Sequence, residues 1–380
     1  MMFRTILPAV CLAALLVPVS AQEVTPVKKI EPAAQRERVI DLCICLDVSG
    51  SMKGLIHSAR SRIWSIVNDL ALAKPSPRLR VALYSYGGGA YNKSRNYIRQ
   101  ETKFTEDLDL VSKRLFALVA AGSVEFVGGV MHRALTDLAW QSDANALKLM
   151  VVAGNETANQ DPKHNYLEMA RASIQRGVMV NSIFCGNAAD VIAQEWASIA
   201  KLSDGHFAAI DQNSTVDISS PFDTQLADLS SSLNATYIAY GRAGKAGRAA
   251  QSAADSDAEK QSSNTSALRA LSKSKKQYWN HWCLADALER KQVKLEDVKD
   301  KDLPEYMRGK TLDEKMKIVE EKRAARAKIK GEIETMSKKR REWMAAELRK
   351  RGEADAKSFD AVLRKALRAQ ATAKGYQFEK

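Results

Sequence analysis

Apolar residues gather along the first two thirds of the chain in short unbroken runs. Residues 39–46 read Val-Ile-Asp-Leu-Cys-Ile-Cys-Leu, and similar runs occupy 79–86, 147–153, 178–185 and 206–210. Runs of this length that stay apolar at odd and even positions alike are the mark of strands buried on both faces. Between them, at 55–72, 107–119, 127–140, 165–175, 191–202 and 224–233, the pattern is that of amphipathic helices. Thr105 ahead of Glu106, Asp107 and Asp109 marks a helix start, because acidic groups are favoured near a helix N-terminus. Asp161-Pro162 predicts another start, with proline at the first helical position. Strand alternating with helix in this way predicts an α/β fold: a doubly wound, mostly parallel sheet with helices on both faces.

After residue 240 the pattern changes. Residues 241–275 are rich in Ala, Ser and Gly, poor in large apolar residues, and read as a flexible linker. Residues 276–380 read as a basic helical region. Thr311-Leu312-Asp313-Glu314 is a capping box, a hydroxyl followed three residues later by a carboxylate. A helix from there to Lys350 would run about 40 residues, roughly 60 Å at 1.5 Å per residue. Ile329, Ile333, Met336 and Trp343 lie near one of its faces, but the same heptad places Arg326 and Arg340 in the seam, so a sustained coiled coil is unsupported. A helical hairpin with 359–371 is an equal alternative, packing through Phe359, Val362, Leu363 and Leu367. Tyr278, Trp279 and Trp282 read as an anchor by which this region packs on itself or on the preceding domain.

Residues 1–21 carry Arg4, an apolar run from 6 to 19 and small residues at 19–21, the pattern of a cleaved signal peptide. Residues 22–37 are then an N-terminal extension. The apolar run is shorter than the ~20 residues a spanning helix needs. An exported chain is therefore expected, in the periplasm or secreted, with no transmembrane segment after cleavage.

Charge changes the picture of the two halves. The 380 residues include 58 Lys and Arg against 45 Asp and Glu, a net charge of +13. Residues 22–245 are nearly neutral at +1, whereas 246–380 carry +11. The basic clusters 338–341 and 349–351 read as a solvated helical face or, since export argues against nucleic acid, as a contact for an anionic envelope surface. Five cysteines exclude a disulfide scaffold. Cys43 and Cys45 lie on one face of a predicted strand and read as core residues. His57, His132, His164, His206 and His281 show no ligand spacing, so a zinc site is not expected.

In such a sheet, ligands bind beyond the carboxyl ends of the strands. The loop after the first strand is Asp47-Val48-Ser49-Gly50-Ser51. Its D-x-S-x-S pattern gathers three hard oxygen donors, which suit Mg²⁺ or another divalent cation. The alternative is a loop kept for its turn, with Ser49 or Ser51 capping the next helix. Gly87-Gly88-Gly89 reads as a turn, since no P-loop sequence follows it. No nucleophile, paired carboxylate or neighbouring His accompanies Glu156 and Asp161, so catalysis is disfavoured.

Placed between an apolar strand and a helix in a doubly wound chain, this motif resembles the von Willebrand factor type A domain with its metal-ion-dependent adhesion site. The resemblance covers 38–240. It extends to exported bacterial proteins that join such a domain to a Lys-rich helical tail. It implies that Asp47 anchors metal-bound water and that Ser49 and Ser51 ligate directly. The family's fourth element is a Thr in a Gly-rich loop; here 122–128 has none, Glu125 falls at its position, and Ser123 is the nearby hydroxyl. The fifth is an Asp at the end of the fourth strand; Gly154 falls there, with Asn155 and Glu156 beside it. Direct ligation by Glu125 would hold the cation more tightly and draw an acidic partner less. The expectation is an exported, non-enzymatic, adhesion-type module that binds a protein partner at this site. The alternative is a metal-free scaffold whose basic tail mediates self-assembly or envelope association.

Overall fold

Six strands form one sheet in the order β3-β2-β1-β4-β5-β6: β1 Val39–Asp47, β2 Arg78–Tyr86, β3 Ile98–Thr105, β4 Leu147–Gly154, β5 Val178–Phe184 and β6 Phe207–Ala209. The computed structural model describes residues 38–210, 218–350 and 359–378; the expected signal peptide and the extension 22–37 lie outside them. All neighbours pair in parallel except β3, which runs antiparallel to β2. The doubly wound α/β sheet read from the apolar runs is thus the fold observed. Every residue of β1 is buried. Ile40, Leu42, Ile44 and Leu46 enter the core on one face, while Cys43 and Cys45 enter the core on the other. The alternation is that of a central strand whose two faces are both covered.

The helices are α1 Lys53–Ala71, α2 Leu108–Phe116, α3 Val127–Asp137, α4 Tyr166–Gln175, α5 Val191–Leu202, α6 Asp223–Asn234, α7 Gly241–Gln261, α8 Ser263–Ser274, α9 Leu284–Glu289, α10 Leu312–Lys350 and α11 Phe359–Ala373. Asp107 caps α2, its Oδ1 accepting from Leu110 N at 3.0 Å, as the acidic run predicts. The start expected at Asp161-Pro162 is displaced. Asn165 caps α4, and Asp161 instead accepts from the amides of Lys163 and His164 in the turn before it. A side chain that satisfies two amides locally stabilises a turn in place of the first helical turn.

The stretch 241–275 is not a flexible linker. It forms α7 and α8, and the described residues beyond 37 belong to one compact unit. Small residues serve close approach here: a Cβ on Gly247 would run into the Trp282 indole. Asp255 of α7 holds Arg269 and Lys273 of α8 at 2.9 and 2.7 Å. Arg269 also reaches Asp109 of α2 at 2.6 Å, and Lys273 reaches Ser230 Oγ and Asn234 Oδ1 of α6 at 2.7 Å each. Four charged groups sharing partners satisfy one another away from water, which isolated buried charges cannot do. Tyr278 and Trp282 are buried, and the Tyr278 hydroxyl donates to Asp109 at 2.7 Å, so the aromatic anchor expected here joins the tail to the sheet domain.

The capping box opens α10 as expected: Glu314 N donates to Thr311 Oγ1 at 3.3 Å, and Thr311 N donates to Glu314 Oε2 at 2.8 Å. Its two seam arginines are buried studs. Arg326 pairs with Asp286 of α9 and donates to Thr236 O at 2.9 Å. Arg340 pairs with Asp223 of α6 and donates to Asn264 of α8, each at 2.7 Å. The face that argued against a coiled coil is therefore the face that docks on α6, α8 and α9. The expected hairpin partner goes elsewhere. Leu363, Leu367 and Ala371 of α11 join the core on the α1 side of the sheet, and Arg368 pairs with Asp69 of α1 at 2.6 Å. The side chains of Phe359 and Val362 lie outside the described residues. Gln370 exchanges hydrogen bonds with Asn181 of β5 at 3.0 Å. Among the described residues no helix is long and apolar enough to cross a membrane.

Candidate metal centre

The carboxyl ends of β1, β2 and β4 share one edge of the sheet, where three loops interlock. Gly50 N donates to Gly122 O at 2.9 Å, Ala121 N donates to Val48 O at 2.8 Å, and Gly89 N donates to Ala121 O at 2.6 Å. Gly87 and Val124 form an isolated bridge. The triple glycine is a turn, and its sequence follows from crowding. Gly87 has φ +82°, and a Cβ there would lie 2.9 Å from Asp47 Oδ1 and 3.4 Å from Glu125 Cγ. Asp47 and Glu125 thus border the same small space, which a glycine leaves open.

Asp47 ends β1 and is fully buried. Its Oδ1 accepts from Ser49 N at 2.7 Å, while its Oδ2 has no partner among the described residues. Burial pushes its carboxyl up to about 7; hydrogen bonding from Ser49 opposes the rise, and the charges of Glu125 and Glu156 add to it. A buried carboxylate oxygen with no donor is costly, and such a group calls for a proton or a cation. Ser49 is buried and Ser51 exposed, with their hydroxyl oxygens 3.2 Å apart. Ser51 Oγ donates to Asn155 Oδ1 at 3.2 Å. Ser49, at the N-cap of the short helical turn Gly50–Met52, makes no side-chain cap bond.

Glu125 is buried on the loop before α3. Gln160 grips it twice, Nε2 donating to Glu125 Oε2 at 3.0 Å and Oε1 accepting from Glu125 N at 3.3 Å. Ser123 and Glu156 are exposed at the rim. The Glu156 carbonyl accepts from Trp196 Nε1 at 2.9 Å. At Gly154 a Cβ would lie 2.6 Å from Tyr86 Oη, 3.0 Å from Trp196 Cη2 and 3.2 Å from Asp47 Oδ2. An aspartate has no room there, because Tyr86 and Trp196 fill the space and Tyr86 is fixed by donating to Ala153 O at 2.8 Å.

The oxygens present fit a hard divalent cation. Two cis ligands at the 2.0–2.1 Å bonds of octahedral Mg²⁺ lie about 3 Å apart, close to the Ser49–Ser51 spacing. The set is carboxylate, hydroxyl and amide oxygen, and among the described residues no three His, Cys, Asp or Glu converge as a metal site on their own. That composition suits oxygen-seeking cations and not zinc. Sequence spacing hid one pairing of histidines: the His132 and His164 rings stack with centroids 4.3 Å apart, His164 Nδ1 lying 3.2 Å from Asp161 Oδ2. Gln160 and Tyr86 were not legible as site residues, since no motif marks either.

The family model of the von Willebrand factor type A domain matches residues 41–222. No curated protein matches the chain. Among solved structures, the chain is similar to proximal thread matrix protein 1 of the mussel byssus, solved with a zinc-occupied MIDAS motif: 10% identity, TM-score 0.38, covering 47% of this chain and 43% of that one. It is also similar to an aerotolerance-related membrane protein of Bacteroides fragilis, with 16% identity and TM-score 0.33 over 46% of this chain and 94% of that one. A third is the von Willebrand factor domain of a type V pilus tip protein of Porphyromonas gingivalis, with 13% identity and TM-score 0.35 over 46% and 90%. The chain spans less than half the length of the mussel protein.

Proposed function

We propose, from the premise that residues 41–222 are a von Willebrand factor type A domain, that this chain is an exported, non-enzymatic module. It binds a protein partner through a divalent cation, Mg²⁺ or a similar ion, held at Asp47, Ser49, Ser51 and Glu125. The carrying observation is the buried Asp47 Oδ2, without a partner among the described residues, beside the Ser49 and Ser51 hydroxyls, whose oxygens lie 3.2 Å apart. When bound, the cation supplies an electrophilic point that a partner's oxygen can reach. Ser49 and Ser51 would offer neutral oxygens to it, Asp47 would supply the negative charge that anchors its water, and Asn155 holds Ser51 by the hydrogen bond from Ser51 Oγ. The exposed rim of Ser123, Ser51 and Glu156 leaves this edge open to a partner.

Calorimetric titration of the full chain with Mg²⁺ and Mn²⁺ should show one saturable site, lost in Asp47→Ala. Absence of binding by the wild type would refute the cation step. Capture of a partner from envelope extract should fail in chelator; undiminished capture would place recognition on a metal-free surface. The far end of α10 supports a second contact, with an anionic envelope surface. Lys338, Lys339 and Arg341 are exposed there, although Arg340 between them is buried. Co-sedimentation with anionic but not zwitterionic vesicles, weakening with salt, is the expected result.

A further inference from the structure

We infer that Gln160 is a positioning residue of the cation site, and that through it the chain supplies the anionic ligand that a partner's carboxylate would otherwise provide. The inference rests on the cation reading above. Its ground is the double grip on Glu125. One amide of Gln160 accepts from the Glu125 backbone and donates to its Oε2, so both ends of the residue are fixed by the same group. Glu125 is 4% exposed, and it is its Oε2 that takes the Gln160 amide. Across the gap that Gly87 leaves open stands the Asp47 carboxylate: its Oδ1 borders the gap, and its Oδ2, on the Gly154 side, is buried and without a donor among the described residues.

Two carboxylates offered by one chain neutralise a doubly charged cation. A further carboxylate from a partner would then meet a site with no net positive charge to attract it. A partner presenting a neutral oxygen, a hydroxyl or an amide carbonyl, suits the site better. Gln160 is what decides this, because a glutamate released from its grip can turn to solvent and leave the cation electrophilic. The short turn after β4 that carries Asn155 also carries Gln160, so one segment orients ligands on both sides of Asp47.

Calorimetry with Mn²⁺ on the full chain tests this. Gln160→Leu should weaken Mn²⁺ roughly 10- to 100-fold, the usual loss when a group orienting a ligand is removed. Glu125→Gln should weaken it at least as much, and adding Gln160→Leu to Glu125→Gln should cost nothing more. Gln160→Asn, which keeps the amide but shortens its reach, should reproduce the loss; a thermal melt in chelator, run on each variant, identifies any that has lost its fold. Acetate in excess serves as the probe for an outside carboxylate. It should leave wild-type Mn²⁺ affinity unchanged and tighten that of Glu125→Thr. Wild-type affinity that survives Gln160→Leu and Gln160→Asn overturns the inference and leaves the cation reading intact. Acetate tightening the wild type as much as Glu125→Thr overturns the partner class. No Mn²⁺ binding by the wild type overturns both.

Discussion

Asp47 shows how one residue can be a burden to the fold and the centre of a candidate site. Its carboxyl ordinarily titrates near 3.8 and is pushed up to about 7 by burial. A raised carboxylate pKa means that folding favours the protonated form. The stability it contributes is complete below about 4 and is lost as pH rises toward 7. In chelator, Asp47→Asn should therefore raise the thermal midpoint at pH 8 and leave it nearly unchanged at pH 4. With cation present the order should reverse, because the ion then takes the place of the missing donor. Thermal melts at both pH values, with and without Mg²⁺, check both halves. The local part of this site was legible in sequence: Asp47, Ser49 and Ser51 sit within five residues, and strand geometry aims them at one edge. Gln160 was not, because it meets Glu125 across 35 residues of separation through a turn that no pattern announces. Gly154 was read as a missing ligand. Its cause is a steric one, two aromatic rings already standing where an aspartate would go.

Elements were legible where burial on both faces left an unmistakable apolar run, and obscure where one composition serves two structures. The central strands declare themselves. β3 does not, since an edge strand pairs on one side only and only Ile98 and Thr102 of its eight residues are buried. Residues 241–275 have a linker's composition and a close-packed helix pair's structure, because Ala, Ser and Gly suit both flexibility and near approach. The arginines of α10 look like interruptions until Asp286 and Asp223 are placed opposite them. Arg340→Ala would leave Asp223 buried beside Ser220 with its cation gone, at a cost of about 3 kcal/mol by denaturant melts. Leu367→Ala, which removes a fully buried side chain of α11 from the sheet core, should cost about 2–5 kcal/mol. A loss below 1 kcal/mol would mean that α11 does not complete that core.

For the whole molecule, the +13 net charge lies outside the buried seams. Arg269, Lys273, Arg326 and Arg340 are buried and matched by Asp109, Asp255, Asp286 and Asp223. These buried pairs cancel, so the net positive charge is carried by the remaining groups, Lys338, Lys339 and Arg341 among them. A tail held this way is not a separable domain. A chain ending at residue 240 is expected to show broad, non-cooperative melting and dye-accessible apolar surface, since α7, α8 and α11 would all be missing from faces they now cover. A sharp melt matching the full chain would show that the sheet domain stands alone.

The docking of α11 also bears on the order in which the molecule can assemble. Arg368 and its partner Asp69 are separated by 299 residues, and Leu367 closes a core that β1 begins. Contacts so distant in sequence form late, because the entropy of closing the intervening loop must be overcome before they contribute. The part of the α1-side core that Leu363, Leu367 and Ala371 fill stays open until α11 docks.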